Sequence, residues 1–370
     1  LIRRQRQMCI RDSVYSALDG GDFKDALDRV GKGLDKIEKY IAEHGVQRLE
    51  KPPEDIKATA TIIDWLLEHF NEALMIFNTL EAYVYAFVTT DSYNKDAAKR
   101  LSELEQISVR INKQIVRFQA WVGSLGDVFE KILEHAPVAK EHKLGLEEFI
   151  EQAQYLMDTD LEDLAAELSL SGGGVMWKLQ GTVTSQLKAP FERDGKTEML
   201  PMTVIRNLAM DPDEDVRRRA YDTELEAWKS IREPVAFSLN GVKGAAITLA
   251  KWRGRDDVLH SSLDHNRIDR GTLEALLAAM KESFPVFRRY LKKKAERFGK
   301  GKLPWWDLFA PVGKAEMKYT YKEASDYIVE QFGTFTGELA DFARNAFDRN
   351  WIDAEPRDGK RGGAFCMGVP

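Results

Sequence analysis

The sequence predicts a mainly α-helical chain that carries one small β-hairpin. Apolar residues recur at three- and four-residue steps over long stretches, which is the period of a helix with one buried face. One Asp-Gly pair lies between two short strand-like runs. Of the 370 residues, 44% are hydrophobic and 31% are charged, an ordinary globular composition. Because one core rarely serves a chain of this length, we expect two or more packed units.

The first half of the chain carries three apolar stripes with helical spacing. The first runs from Phe23 to Ile41, and a Pro52-Pro53 pair separates it from a second helix over residues 54–90. A third helix is predicted over residues 94–135. Antiparallel helices of this kind bury their stripes against each other.

A run of three glycines, Gly172 to Gly174, interrupts the helical pattern and predicts a loop. No Gly-Lys-Ser/Thr sequence follows, which argues against a phosphate-binding loop. Residues 185–191 and 196–200 then predict two short strands around the Asp194-Gly195 turn.

Helices resume after the hairpin. Asp211-Pro212 predicts one helix start, and Thr272 and Thr320 predict two more. In the helix that begins at Thr272 we expect an inward-facing apolar stripe, made of Leu273, Leu276, Leu277, Met280, Phe284 and Phe287. The last segment predicts a turn at Arg357 to Gly359 that leads into a short strand ending near Cys366.

The net charge of −6 leaves no broad positive field, so a nucleic-acid partner is not expected. The most apolar run, residues 73–88, is interrupted by polar residues and is shorter than the ~20 residues of a bilayer-spanning helix. A buried helix is therefore expected there, and no membrane partner. The two cysteines, Cys9 and Cys366, suit a reducing compartment, so we expect a cytoplasmic location.

Both ends of the chain have an unnatural pattern. Residues 1–13 are basic and lack a signal-peptide core, which favours a non-native or disordered leader. The chain stops at Pro370, directly after the strand-like run, which favours a truncated fragment of a longer protein.

None of the six histidines is followed by Glu, so the His-Glu-x-x-His motif of zinc proteases is absent. His260 and His265 are five residues apart, a poor match to one helix face, and ordinary surface histidines are the preferred interpretation. From the residues we therefore predict no catalytic and no metal-binding residue.

Several ordered stretches resemble one family, the oligoendopeptidase F-like zinc metallopeptidases, which are related to thimet oligopeptidase. The stretches span roughly residues 145–370 and are Asp211 to Trp228, Ser261 to Ile268, Phe284 to Tyr290, Trp306 to Val312 and Gly359 to Cys366.

The resemblance implies a multi-helix peptidase-type fold around a channel, hydrolysis of peptide bonds in short peptides, and zinc held by His-Glu-x-x-His. Those ligands would lie outside this chain. The resemblance therefore implies that the whole protein is a metalloendopeptidase and that this chain alone is an inactive fragment. The implied organisation is a helical N-terminal region over residues 14–200, with the hairpin at about 185–200, and the incomplete front of the catalytic domain over residues 201–370.

The resemblance also implies a substrate site. In this family the glycine-rich strand before the zinc helix lines the cleft, and its counterpart here is Gly362, Gly363, Ala364 and Phe365. Small residues let an extended oligopeptide lie flat and pair through its main chain. A pair of turn glycines in an ordinary loop is an equally weighted alternative. For the whole protein, the other candidate is a helical scaffold or interaction protein without chemistry; the oligomeric state is left open.

Overall fold

A computed structural model describes residues 14–193, 195–313 and 318–370. The predicted leader at 1–13, together with Cys9, and Asp194 of the predicted turn lie outside the described residues. The described chain is mainly α-helical with one antiparallel two-stranded hairpin, which confirms the predicted fold class. The helices that precede the hairpin are α1 (Gly21–Glu43), α2 (Ile56–Thr90), α3 (Lys95–Val122), α4 (Phe129–Leu133), α5 (Pro137–Glu141), α6 (Lys143–Ala153), α7 (Thr159–Ser171) and α8 (Gly173–Ser185).

Helices α1, α2 and α3 form the core of the N-terminal region. The side chains of Asp55 and Asn94 accept the backbone N–H groups of Ala58 and Ala97, so α2 and α3 each begin at a capping residue. The apolar stripe of α1 is buried against α2, as its spacing predicts. The helix predicted at 94–135 ends earlier, at Val122. A short 3₁₀ turn and α4 follow within the rest of that range.

Helix α2 contributes to two apolar clusters, one at each end of its length. Ile63, Leu66 and Phe70 pack with Phe118 of α3, while Phe77 and Leu80 lie in the second cluster. By length and composition alone α2 could cross a membrane. Its packing against α1 and α3 is that of a core helix in a folded protein.

The three glycines give a helix junction instead of the predicted loop. Helix α7 ends at Ser171, and α8 begins at Gly173, so two of the three glycines are helical. The reason is tertiary, because α8 packs along a later helix, α11 (Arg232–Trp252), where Gly241 leaves room for Met176.

The hairpin lies where the sequence predicts it. Strands β1 (Lys188–Arg193) and β2 (Lys196–Pro201) pair antiparallel, from Lys188 opposite Pro201 to Arg193 opposite Lys196. Gly195 adopts φ +72°, a conformation that glycine enters without steric cost. The buried face of the hairpin packs on the helices that follow it, with Phe191, Ile205 and Ala220 in one small cluster.

Helices α9 (Met202–Asn207), α10 (Glu214–Ser230), α12 (His260–His265) and α13 (Arg270–Arg297) complete the middle of the chain, with α11 between α10 and α12. The N-cap of α10 is Asp213, two residues after the predicted Asp211, because its carboxylate accepts the N–H of Asp215. Asp269 caps α13 through the N–H of Thr272. That helix therefore begins at Arg270, two residues before the predicted Thr272.

The apolar stripe of α13 is exposed, which contradicts the inward orientation predicted for it. Met280 is 50% and Phe287 is 61% exposed. Leu276, Leu277 and Phe284 are also exposed, whereas Leu273 is half-buried. Periodicity predicts that a face is apolar, but only a packed neighbour removes that face from water.

The chain ends with two short helices and a stretch without regular structure. Helix α14 (Tyr321–Gly333) begins at a capping box formed by Thr320 and Glu323, and α15 (Gly337–Asp348) packs against it. Residues 351–370 contain no β-strand, so the predicted C-terminal strand is wrong. Gly362 and Gly363 form a bend because Gly363 takes φ +90°, which lies outside the β region.

Candidate functional site

The C-terminal segment, residues 357–366, lies against the end of helix α2. Gly359 O accepts the N–H of Ser92 at 2.9 Å, and the N–H of Arg361 donates to Thr89 O at 2.9 Å. The carbonyl of Thr89 is in the last turn of α2, where carbonyl groups have no partner within the helix. The segment therefore satisfies the end of a core helix while that helix fixes the position of the segment.

A second set of contacts holds the turn at Gly359. Asp358 forms an ion pair with Lys188 of β1 and accepts a hydrogen bond from the Tyr93 hydroxyl at 3.3 Å. Gly359 has φ +77°, and a Cβ atom there would lie 2.8 Å from the Tyr93 ring. Only glycine meets both conditions, so this turn depends on its residue type.

The turn is also fixed from its N-terminal side. Asp353 accepts hydrogen bonds from Arg357 at 2.6 and 2.7 Å and from Lys360 at 3.0 Å. Burial opposes ionisation of Asp353, but the bonds to Arg357 and Lys360 outweigh burial and lower its pKa to about 2. The carboxylate is therefore charged at neutral pH and links both ends of the turn.

The structure leaves the predicted substrate residues open to solvent. Gly362, Gly363, Ala364 and Phe365 are exposed, Phe365 to 60%, and its ring centroid lies 6.1 Å from that of Tyr85. Within the described part of the chain, the main-chain groups of residues 362–366 make no backbone–backbone hydrogen bond. An anchored segment with unpaired main-chain donors and acceptors can accept an added strand.

A cleft of about 570 Å³ adjoins this segment. One wall is α2, with Asn78, Glu81, Ala82 and Tyr85, and the other is formed by residues 367–370. Desolvation of the Glu81 carboxylate, followed by the nearby charge of Glu105, raises the pKa of Glu81 above its ordinary value. The cleft thus extends from the exposed segment to the face of α2 that carries the Glu81 carboxylate.

A buried ion network is centred on Asp307, which belongs to the stretch Trp306 to Val312. Arg217 of α10 donates to Asp307 at 2.7 Å, and Lys300 contacts the same carboxylate. Burial opposes ionisation of Asp307, but Lys300 and Arg217 together lower its pKa below the ordinary range. No role was predicted for Asp307 from the sequence, and its contacts show that it connects α10 to the loop after α13.

No grouping of three or more His, Cys, Asp or Glu side chains suited to a metal ion occurs within residues 14–193, 195–313 and 318–370. His260 and His265 are the two ends of α12, a short helix. His260 lies 3.6 Å from Asp256 and 3.8 Å from Asp264, and His265 is exposed. The described residues therefore do not fit a zinc site.

Sequence reasoning missed three residues at the segment: Tyr85, Trp177 and Arg361. The Arg361 guanidinium donates to the Tyr85 hydroxyl at 3.0 Å and lies 5.2 Å from the Trp177 ring centroid. Tyr85 and Arg361 are 276 positions apart in the chain, so no local pattern connects them. The sequence feature that could have pointed to Arg361 is its position directly before two glycines.

Comparisons with known proteins agree with this architecture. Residues 207–370 match the model of peptidase family M3. Oligopeptidase PepF from Bacillus subtilis (strain 168) is 21% identical over 246 residues, which cover 66% of this chain and 37% of that protein. Group B oligopeptidase PepB from Streptococcus agalactiae serotype III (strain NEM316) is 22% identical over 242 residues, which cover 65% of this chain and 40% of that protein. The chain thus spans less than half the length of these curated relatives.

The fold agrees as well. The crystal structure of oligoendopeptidase-F from Enterococcus faecium superposes with a TM-score of 0.68 at 15% identity, covering 91% of this chain and 68% of that one. The chain therefore has the mainly helical fold of that structure, and its residues 207–370 resemble peptidase family M3. The chain is oligoendopeptidase F-like, which confirms the resemblance stated from the sequence.

Proposed function

We propose that this chain is the peptide-holding part of a zinc-dependent oligoendopeptidase. Residues 14–200 form its helical N-terminal region, and residues 201–370 form the front of its catalytic domain. The relatives named as oligopeptidases, the family match over residues 207–370 and the cleft beside the C-terminal segment support this assignment.

The substrate is an extended oligopeptide, held by Gly362, Gly363, Ala364 and Phe365. The carrying observation is that this stretch has no main-chain pairing among the described residues, although the residues just before it are anchored. Gly359 bonds to Ser92, which follows α2, and Arg361 bonds to Thr89 in the last turn of α2. Main-chain pairing recognises any extended peptide regardless of its side chains, which suits an enzyme acting on varied short peptides. The bend at Gly363 limits the pairing stretch to a few residues.

Zinc belongs to the whole enzyme and not to this chain. The family is zinc-dependent, but these 370 residues contain no His-Glu pair, and the described residues do not fit a metal site. When bound, zinc would supply a Lewis acid and an activated water for hydrolysis. We assign this chain peptide binding in the cytoplasm and no step of hydrolysis.

The binding proposal is tested with a fluorescent, extended oligopeptide and the purified 370-residue chain. Two further peptides carry N-methyl groups at alternate residues, one at odd and one at even positions. Strand addition uses the N–H groups of one peptide edge, so one methylated peptide should bind at least tenfold more weakly than the other. Equal affinity of both methylated peptides, or no binding of the parent peptide, would contradict main-chain pairing.

A protein variant tests the location. Gly362→Val adds a branched side chain to the exposed segment, and its Cβ would lie 3.4 Å from Thr203. We expect weaker peptide binding, whereas the control Gly301→Val, in open space outside the segment, should bind as the parent chain does. Equal binding by the two variants would place the peptide elsewhere.

The assignment of zinc is tested separately. Metal analysis of the purified chain should find no stoichiometric zinc, and incubation with the parent peptide should leave the peptide intact. Turnover that a chelator abolishes would show that this chain already holds a working metal centre.

A further inference from the structure

Arg361 is the last anchored residue before the exposed glycine pair. Its N–H is fixed to Thr89 O, whereas the described main chain that follows it, residues 362–366, is unpaired. Two glycines in succession give that stretch wide conformational freedom. The direction in which the segment leaves α2 is therefore set at Arg361.

Aromatic rings hold the side chain of Arg361 in place. Its Cζ lies 5.4 Å from the ring centroid of Tyr85 and 5.2 Å from that of Trp177, within the range of cation–π attraction. One terminal nitrogen also donates to the Tyr85 hydroxyl at 3.0 Å. The last turn of α2 has no basic residue, so Arg361 also brings a cation to a helix end that favours one.

The contacts of Arg361 are those of an anchor and not of an ion pair. Among the described residues its guanidinium bonds to the Tyr85 hydroxyl and not to a carboxylate, and its Nε is buried without a hydrogen-bond partner. A buried, unpartnered donor has a cost in stability, which local packing must offset. The benefit that the geometry offers is a fixed orientation for the next residues.

Helix α8 is shaped to admit this side chain. A Cβ atom at Gly181 would lie 2.8 Å from Nη2 and 3.0 Å from Cζ of Arg361. Any larger residue at position 181 would therefore displace the guanidinium. Helices α2 and α8 and the C-terminal segment thus meet at a single side chain.

We propose that Arg361 is a positioning residue that pre-orders Gly362, Gly363, Ala364 and Phe365 for the bound peptide. This inference rests on the proposed function of that segment. Ordering a mobile segment on binding lowers affinity, so a residue that orders it beforehand raises affinity without touching the peptide.

The test compares Arg361→Gln, Arg361→Lys and Gly181→Ala in the 370-residue chain. Arg361→Gln removes the cation and its ring contacts, Arg361→Lys keeps the charge, and Gly181→Ala displaces the guanidinium without changing it. Arg219→Lys is the matched control, because Arg219 also lies 5.2 Å from a ring, that of Phe191, and donates to a main-chain carbonyl.

Peptide affinity and hydrogen exchange are measured for each variant. Arg361→Gln and Gly181→Ala should bind the parent peptide about tenfold more weakly. Their amides at residues 362–366 should exchange faster than in the parent chain. Arg361→Lys should recover part of both effects, and Arg219→Lys should match the parent chain in both.

The outcomes separate this inference from the proposed function. If the parent chain binds peptide and Arg361→Gln binds it equally well, the positioning role is wrong while the binding site stands. If the parent chain binds no peptide, the proposed function fails, and unchanged exchange at residues 362–366 in both variants would overturn the pre-ordering as well. If Arg361→Gln does not fold, Gly181→Ala decides alone, because alanine favours a helix over glycine.

Discussion

Nη2 of Arg217 lies 2.7 Å from Oδ1 of Asp307, and the Arg217 and Asp307 side chains are only 5% and 0% exposed. The two residues are 90 positions apart, so this pair connects α10 to the loop after α13. Arg217 also donates to the carbonyls of Asp211 and Pro212, which precede α10. One arginine therefore fixes both the start of α10 and the following layer of the fold.

Asp307→Asn should destabilise the chain because it leaves Arg217 buried without its counter-charge. Breaking a buried ion pair costs on the order of 3 kcal/mol, and we expect a loss of that size in the free energy of unfolding. Urea unfolding followed by circular dichroism measures it.

The control for that change is Asp215→Asn. Asp215 pairs with Arg218 and Arg219 on the exposed face of α10. Exposed pairs contribute less than about 1 kcal/mol, so this variant should remain near the parent stability. Similar losses in both variants would mean that burial of the Asp307 pair has no energetic consequence.

Acid should release the turn that precedes the exposed segment. The pKa of Asp353 is lowered from 3.8 to about 2 in the folded chain, because Arg357 and Lys360 outweigh the effect of burial. A carboxyl group with a lowered folded pKa gives stability that is complete above its unfolded pKa. That stability is lost as the pH falls through the folded pKa.

Hydrogen exchange at residues 353–361, corrected for the intrinsic rate at each pH, measures this effect. In the parent chain protection should be constant above pH 5 and should decrease between the two values of 3.8 and about 2. In Asp353→Asn protection should be low throughout and independent of pH over that interval. A parallel pH dependence in both chains would assign the effect to another group.

The exposed stripe of α13 should make the isolated chain self-associate. Met280 is 50% and Phe284 is 44% exposed, and with Leu276 and Phe287 they form one continuous apolar face. Contiguous apolar patches of this kind are unusual on monomeric proteins and mark surfaces that are covered by a partner.

A double variant, Met280→Lys with Phe284→Lys, should shift sedimentation toward the monomer at micromolar concentration. The melting temperature should change little, because both side chains are already half-exposed in the folded chain. Lys281→Gln, on a neighbouring exposed position, serves as the control and should leave association unchanged. A parent chain that is monomeric throughout this range would contradict the prediction.

Local patterns in the sequence were enough to predict the hairpin and the helices α1, α2, α3, α10, α13 and α14. The stripe from Phe23 to Ile41, the helix at Ile56–Thr90 and the strands around Gly195 all follow from residues that are neighbours in the chain. Helix starts moved by about two residues at Asp213 and Asp269, because more than one residue near each start can serve as the cap and only geometry selects one.

The sequence by itself determined the helical class, the hairpin, the family resemblance and the glycine-rich segment, because each depends on local periodicity, turn chemistry or an ordered motif. Only the tertiary structure decided that Gly363 bends the segment, that the α13 stripe is exposed, and that Arg361 meets Tyr85 and Trp177. A strand needs a pairing neighbour, burial needs a packed partner, and a contact across 276 positions needs the folded chain. Local sequence encodes none of these three conditions.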